Sequence, residues 1–167
     1  MRRTLLGALV ALLAGVTAGI VVLPGTSYAA SGFTTTAGSF QSSNNVWEAP
    51  LPSDWRIGDC TMLGGYTPTG SPFDMRSKAR ISIPDGSGQT WVYIFEATRT
   101  ANSPTDVWWT TLRFYTAFGT LILTTPNIPG AQMTRTNQIY LADAGVPVVI
   151  DPQLYPLISY VTWSSSC

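Results

Sequence analysis

From residue 30 onward, hydrophobic residues alternate with polar ones or form short solid runs. No stretch of this part keeps the i, i+3, i+4 spacing of an amphipathic helix over three turns. Alternation with a period of two is typical of half-buried β-strands. The clearest unit is Ala79 to Thr98, where two such segments flank the turn sequence Pro84-Asp85-Gly86-Ser87-Gly88. Gly and Asp adopt the backbone angles that a tight connection needs, so this segment predicts a β-hairpin.

Further strands are predicted downstream of the hairpin. Val107 to Phe118 is followed by Thr120 to Thr125, with Gly119 marking a bend between them. The shorter candidates are Ile139 to Leu141, Val146 to Ile150 and Leu157 to Trp163. Because proline cannot donate to a strand ladder, Pro147 indicates that Val146 to Ile150 lies at a sheet edge.

The part of the chain before the hairpin gives weaker signals. Ser31 to Asn45 is rich in Ser, Thr, Gly and Asn, and we interpret it as either a mobile N-terminal arm or a first edge strand. Glu48 to Asp74 is rich in Pro and Gly, which predicts a long loop region with one strand near Trp55 to Met62. Many strands without helices predict an all-β fold, a single antiparallel β-sandwich, with a closed β-barrel as the alternative.

The first 29 residues have the three parts of a secretory signal peptide. Arg2-Arg3 precedes an apolar run from Leu5 to Leu23, and Ser27-Tyr28-Ala29 offers small residues for a cleavage that leaves Ala30 as the N-terminus. The alternative is an uncleaved membrane anchor, because a run of this length is just able to cross a bilayer. Glycines inside the run weaken a helix and favour cleavage.

Cleavage after residue 29 leaves 138 of the 167 residues, the usual size of one domain. We therefore predict a single secreted domain over residues 30–167 that works outside the cell and has no membrane contact once the signal is removed. An exported chain with two cysteines favours one disulfide, Cys60 to Cys167. Free thiols, or a bridge from Cys167 to another molecule, are the alternatives.

Composition narrows the classes of partner. Charged residues make up 11% of the chain, against about a quarter in ordinary soluble proteins. Without Arg2 and Arg3, seven basic residues remain against nine acidic ones, so binding to nucleic acid through bulk charge is not expected. The polar surface must come largely from threonines and serines, of which the whole chain has 22 and 15, and such a surface suits packing against sugars or other subunits.

The absence of histidine excludes most catalytic designs. Without it there is no Ser-His or Cys-His nucleophile and none of the usual zinc sites. A Ser-Lys pair would need Lys78, the only lysine, and the sequence around Ser77 does not resemble a strained nucleophile turn. No glycine-rich phosphate loop opens a helix, so no cofactor is expected. We predict that the protein is not an enzyme.

Two carboxylates remain as a route to hydrolysis. Glu96, between Phe95 and Ala97, is the best candidate acid, with Asp106 or Glu48 as its partner. The interpretation we favour is that Glu96 lies on an outer face or pairs with an arginine, either Arg99 or Arg113.

Two charged motifs have simple structural explanations. Asp85-Gly86-Ser87-Gly88 offers oxygens to calcium, but the spaced acids of a calcium loop are absent, so a plain hairpin turn and no metal site are predicted. Arg76, Lys78 and Arg80 lie at i, i+2 and i+4 and would share one side of a strand. This stripe could touch an anionic polymer, and the interpretation we favour is protection of a sheet edge.

Aromatic residues carry the strongest binding signal. Trp91, Tyr93 and Phe95 share one face of the hairpin strand, and we predict that they pack in the core, opposite Val92, Ile94 and Glu96. In the next strand the predicted apolar face consists of Trp108, Leu112, Phe114 and Phe118. The opposite face then carries four residues, and they form our candidate ligand-binding strip: Trp109, Thr111, Arg113 and Tyr115.

Aromatic rings interleaved with hydrogen-bonding side chains are suited to stacking against sugars. The leading hypothesis is therefore a secreted, non-catalytic β-domain that binds a ligand or surface protein at the cell exterior, with carbohydrate as the first choice of ligand. The alternatives are a self-assembling subunit of an extracellular fibre or coat, in which Ser31 to Asn45 adds a strand to a neighbour, and a carboxylate-dependent hydrolase.

Overall fold

The computed structural model describes residues 30–66 and 75–167, which form two antiparallel β-sheets packed against each other. This confirms the predicted β-sandwich, and no closed barrel is found in the described part of the chain. The strands are β1 (Ser31–Ala37), β2 (Ser39–Gln41), β3 (Val46–Pro50), β4 (Trp55–Ile57), β5 (Cys60–Met62), β6 (Lys78–Ser82), β7 (Gln89–Thr100), β8 (Asp106–Thr116), β9 (Leu121–Thr124), β10 (Ile128–Met133), β11 (Tyr140–Val149) and β12 (Ile158–Ser166).

The two sheets have different strand orders. In sheet I the strand order is β1-β12-β8-β10. Strand β9 also pairs with β8, at the C-terminal part of β8 that follows the residues paired with β10. Sheet II runs β2-β3-β6-β7-β5-β4, and β11 pairs along the other side of β7. A short 3₁₀ helix, Tyr155–Leu157, precedes β12. Across the two described ranges, no helical segment has the length and apolar content of a membrane span. The predicted signal peptide lies outside the described residues.

The predicted hairpin is present as β6 and β7. Gly88 adopts a φ of 84° in the connection, which a glycine accepts without strain. The Asp85 carboxylate accepts hydrogen bonds from the Ser87 hydroxyl and from the N–H groups of Ser87 and Gln89, and these bonds lower the pKa of Asp85. Local hydrogen bonds therefore account for the Asp-Gly-Ser-Gly sequence as a turn.

Several strand boundaries differ from the sequence prediction. Ile139 to Leu141 and Val146 to Ile150 belong to one strand, β11, which tolerates Pro147 because it pairs on one side with β7. The predicted loop region contains the end of β3 and the hairpin β4–β5, and its residues 67–74 lie outside the described part. Strand β10 was not predicted, because Pro129 and Gly130 interrupt its pattern.

The core lies between the sheets, and its largest fully buried side chains are aromatic residues of sheet I. Trp108, Phe114 and Trp163 are fully buried, and Trp47 of sheet II meets Phe114 edge-on with ring centroids 5.7 Å apart. The prediction for the β7 faces was wrong. Val92 and Ile94 point inward, whereas Trp91, Tyr93 and Phe95 lie on the outer side of sheet II. The large rings of sheet I already occupy the interior, so the facing strand contributes smaller β-branched side chains.

Phe118 was also assigned wrongly to the core. Strand β8 ends at Thr116, whose hydroxyl accepts hydrogen bonds from the N–H groups of Phe118 and Thr120, and Gly119 turns the chain with a φ of 82°. Because alternation between faces holds only within a strand, Phe118 projects from the turn with 97% of its surface exposed.

The predicted disulfide between Cys60 and Cys167 is confirmed. Cys60 begins β5 in sheet II and Cys167 follows β12 in sheet I, so the bond joins the two sheets across 107 positions of sequence. Their Cα atoms are 6.2 Å apart. In the chain-entropy description, a cross-link over so long a loop stabilises the fold by restricting the unfolded chain.

Replacing both cysteines by serine (Cys60→Ser with Cys167→Ser) should lower the free energy of unfolding by about 2–5 kcal/mol. Denaturant titration followed by tryptophan fluorescence measures this loss. The unchanged protein in reducing agent is the control and should show the same loss. An unaltered midpoint in both samples would contradict the assignment of a stabilising role to this bond.

Phe114 and Phe118 form a matched pair for testing the boundary of β8. Phe114→Ala removes a buried ring and should cost about 3–5 kcal/mol of unfolding free energy. Phe118→Ala changes only an exposed ring and should stay within about 0.5 kcal/mol of the parent. Thermal or denaturant unfolding compares them. Equal losses in the two variants would show that Phe118 is packed.

Candidate functional site

The four residues predicted as a ligand-binding strip lie together on the outer side of β8. Trp109, Thr111, Arg113 and Tyr115 alternate with Trp108, Thr110, Leu112 and Phe114, which point into the core. Trp109 keeps 40% of its surface exposed. Tyr115 follows Trp109 by six positions along an extended strand, which corresponds to about 20 Å. We call these four outward residues the β8 strip.

Neighbouring strands widen the β8 strip into a surface. On β12, the residues that pair with the strip are Ser166, Ser164, Thr162 and Tyr160, and beyond them β1 contributes Ser31, Phe33, Thr35 and Ala37. The rings of Tyr115 and Tyr160 are stacked, with centroids 5.1 Å apart and an interplanar angle of 10°. The hydroxyls of Thr35 and Thr162 are 3.1 Å apart. The outer face of sheet I thus carries many hydroxyl side chains, which lie between aromatic rings.

Arg113 carries the charge of this face. Within residues 30–66 and 75–167, no carboxylate lies within ion-pair distance of its guanidinium. The strip therefore keeps a multiple hydrogen-bond donor that is partly exposed and makes no ion pair with a described residue. A planar guanidinium of this kind binds hydroxyls or a carboxylate in a fixed geometry.

A second aromatic surface lies on the outer side of sheet II, where the sequence predicted core packing. The rings of Trp91 and Tyr93 are stacked 6.0 Å apart at 19°, and Trp91 is 47% exposed. Gly145 of β11 lies opposite Tyr93, and a Cβ there would come within 2.7 Å of the Tyr93 ring. The absence of a side chain at Gly145 therefore lets both rings lie flat over β11.

The predicted positive stripe flanks this second surface. Lys78 and Arg80 share the outer side of β6, as expected. Strand β6 lies between β3 and β7, so the interpretation as edge protection was wrong. Their charges are matched instead by Glu48 and Asp143, each with an N–O distance of 3.4 Å. Arg76 precedes β6 and has further interactions of its own.

Glu96 does not lie where the sequence placed it. It points from β7 into the core with 1% of its surface exposed, so neither an outer-face position nor an ion pair with Arg99 or Arg113 is present. The Thr110 hydroxyl of the opposite sheet donates to Glu96 Oε1 at 3.2 Å. Burial raises the pKa of Glu96 to about 8, despite the lowering effect of that hydrogen bond.

The surroundings of Glu96 are shaped around its carboxyl group. A Cβ on Gly130 would overlap Glu96 Oε2, so glycine at that position makes the room. Thr110 also lies 2.9 Å from the Ser165 hydroxyl, which continues the buried polar contacts into β12. Three buried polar atoms nearby on β7 and β8 have no partner among the described residues: Glu96 Oε2, Thr98 Oγ1 and Trp108 Nε1.

The two predicted partners of Glu96 are engaged elsewhere. Glu48 pairs with Lys78 on the outer side of sheet II. Asp106 accepts a hydrogen bond from Thr100 at 3.1 Å and lies beside the Cys60 sulfur. A buried Glu96 has no opening to a substrate, so the geometry gives the paired-carboxylate mechanism no support.

A cavity that the sequence did not signal adjoins the β8 strip. It measures about 530 Å³ and lies beside Trp109, with Asp59, Asp106 and Ser166 among the residues that line it. The disulfide forms part of its wall, and its two sulfurs are bonded to each other, so they do not form a metal site with Asp106. This cavity extends the open face beyond the Trp109 end of the strip.

Comparisons of the chain with protein-family models, with curated proteins and with solved structures give no match.

Replacing Glu96 by glutamine should remove a pH dependence of stability. Between pH 4.5 and about 8, the folded state keeps a proton that the unfolded state has released. The free energy of unfolding therefore falls as pH rises through this window, by at most about 1.4 kcal/mol per unit from this group. Glu96→Gln stays neutral and should lack that slope. Thermal midpoints of both proteins from pH 4 to 9 measure it, and parallel profiles would contradict the prediction.

Proposed function

We propose that this protein is a secreted, non-catalytic β-sandwich that binds a carbohydrate chain on the outer face of sheet I. One observation carries the proposal: Trp109 and the Tyr115–Tyr160 stack stand at opposite ends of one open strip, with hydroxyl side chains and Arg113 between them.

The chemistry of this strip matches that of a sugar chain. The C–H side of a sugar ring is apolar and packs against an aromatic face, which is large and rigid and loses little entropy on binding. The hydroxyls at the ring edge bond to Thr and Ser hydroxyls, each of which both donates and accepts. Thr111, Thr162 and Ser164 offer these groups between the rings. Arg113 adds donors for a hydroxyl or a uronate carboxylate.

Sheet II is the weaker candidate surface. It also carries a stacked, exposed aromatic pair, Trp91–Tyr93, but the flanking Arg80 and Lys78 already form ion pairs with Asp143 and Glu48. Binding through those side chains would require breaking existing ion pairs. On the hydroxyl-rich face of sheet I the described side chains form no ion pair, and the exposed Thr35–Thr162 hydrogen bond is readily exchanged with water.

Two further observations support the location and the class. A disulfide that joins both sheets is in keeping with an oxidising compartment outside the cytoplasm. The chain has no histidine, and none of the four residues of the β8 strip is a carboxylic acid, which favours binding over turnover on this strip.

Trp109 and Trp91 give a matched test, because each is a half-exposed tryptophan on the outer side of one sheet. Trp109→Ala should weaken binding by about tenfold or more, since the stacking surface is lost. Trp91→Ala should bind as the parent does. Cosedimentation with cellulose, chitin and β-glucan, together with a fluorescence titration using soluble polygalacturonate, measures the affinity.

The other outcomes of the Trp109 and Trp91 test would place the site elsewhere or reject the proposal. Loss of binding in Trp91→Ala with retention in Trp109→Ala would move the site to sheet II. Equal binding by all three proteins would show that neither face is the site. The parent protein failing to bind any of these four polymers would reject carbohydrate binding for this panel and with it the proposal as stated.

A further inference from the structure

Strand β1 forms an edge of sheet I, and the ladder to β12 shows which of its backbone groups are open. The Cys167 N–H donates to the Ala30 carbonyl at 3.0 Å, and the Gly38 N–H donates to the Ser159 carbonyl at 3.1 Å. In an antiparallel ladder every second residue bonds to the partner strand. The backbone N–H and carbonyl groups of even-numbered residues of β1 therefore point toward β12. Those of odd-numbered residues point away from the sheet, at its open edge.

The outward positions are Ser31, Phe33, Thr35 and Ala37. All four are exposed, and Phe33 keeps 77% of its surface free. None is proline, so each offers both an N–H and a carbonyl. Residues 31–45 contain no charged residue. This edge thus lacks the charges and prolines with which proteins normally prevent strand pairing.

Strand β11, the longest edge of sheet II, shows the contrast. The Ile150 N–H donates to the Gly88 carbonyl at 2.9 Å. The backbone N–H and carbonyl groups of even-numbered residues of β11 therefore point toward β7. Its outward positions include Asp143 and Pro147. Pro147 has no N–H, and Asp143 carries a charge. These two residues supply the protection that β1 lacks.

The remaining described edges are also protected. Strands β2 and β4 have three residues each and β9 has four. Strand β10 contains Pro129 and a register shift against β8. Among residues 30–66 and 75–167, β1 is therefore the long edge strand without a protective feature.

We propose that β1 pairs antiparallel with β1 of a second copy of this chain, so that sheet I continues across a twofold axis at Thr34. This register places Phe33 of one copy opposite Thr35 of the other, and Ser31 opposite Ala37. All outward N–H and carbonyl groups then find partners, because all four positions are odd-numbered. The uncharged sequence brings no like charges together, and a twofold contact closes after two copies.

A dimer of this geometry has a consequence for binding that rests on the proposed function. A twofold axis perpendicular to the sheet turns the outer faces of both copies to the same side. The two β8 strips would then lie on one continuous surface and engage one polymer together, which raises the apparent affinity without new contacts. The pairing itself does not depend on sugar binding.

Sedimentation velocity over a dilution series tests the pairing, using the full-length gene product collected after export. We expect a concentration-dependent monomer–dimer equilibrium. Phe33→Pro removes an outward N–H that makes no bond to β12, and Thr35→Lys places like charges across the interface. Each should raise the dissociation constant about tenfold or more. Leu141→Lys, an exposed change on β11, is the matched control and should dimerise as the parent does.

Cysteine scanning tests the register. Residue 34 lies on the twofold axis at a non-hydrogen-bonded pair, where Cα atoms are about 4.5 Å apart and a disulfide can form. Thr34→Cys should therefore give a covalent dimer under mild oxidation. Ser31→Cys places its sulfurs far from each other across the same interface and should not.

Several results would overturn the inference. These are a parent chain that stays monomeric at every concentration, a dimer that survives both β1 substitutions, and a dimer that Leu141→Lys dissociates equally. Circular dichroism and thermal midpoints show whether the variants are folded. If Phe33→Pro does not fold, Thr35→Lys alone still tests the pairing. A monomer that binds polysaccharide rejects the pairing alone, whereas a dimer that binds none rejects the proposed function alone.

Discussion

Burial of the inner side of β8 is the constraint on which the rest of this structure depends. Trp108, Leu112 and Phe114 fill the space between the sheets, and Trp47 and Trp55 of sheet II meet two of them edge-on. Since successive side chains of a strand point to opposite sides, burial of this set fixes the outward direction of the β8 strip. The candidate binding surface is therefore a direct consequence of core packing.

The polar contacts inside the core follow from the same packing. Glu96 is the ionisable side chain that β7 carries inward, and burial raises its pKa to about 8, so the carboxyl group is mostly neutral near pH 7. Gly130 leaves room for its carboxyl group, and Thr110 reaches it from the other sheet. Such a contact across the sandwich restricts how the sheets slide past each other, since a slip would leave more buried polar atoms unpaired.

The two sheets differ in their edge strands and in the chemistry of their outer faces. Sheet II ends in strands that are short or carry Asp143 and Pro147, and Lys78 and Arg80 on its outer side form ion pairs. Sheet I has a hydroxyl-rich face and the unprotected edge β1. The surface proposed for sugars and the edge proposed for self-association thus belong to the same sheet, which is why pairing across β1 would double the binding surface.

The sequence alone determined the sandwich class, the β6–β7 hairpin, the two faces of β8 and the Cys60–Cys167 bond. These follow from period-two alternation, from turn residues and from the number of cysteines, which are local or countable properties of the chain. Only the tertiary structure decided which side of β7 is buried, where Glu96 points and that Phe118 is exposed. A strand pattern defines two faces but does not say which one meets the core. That choice depends on the volume that the opposite sheet leaves free, and this volume belongs to no single segment of sequence.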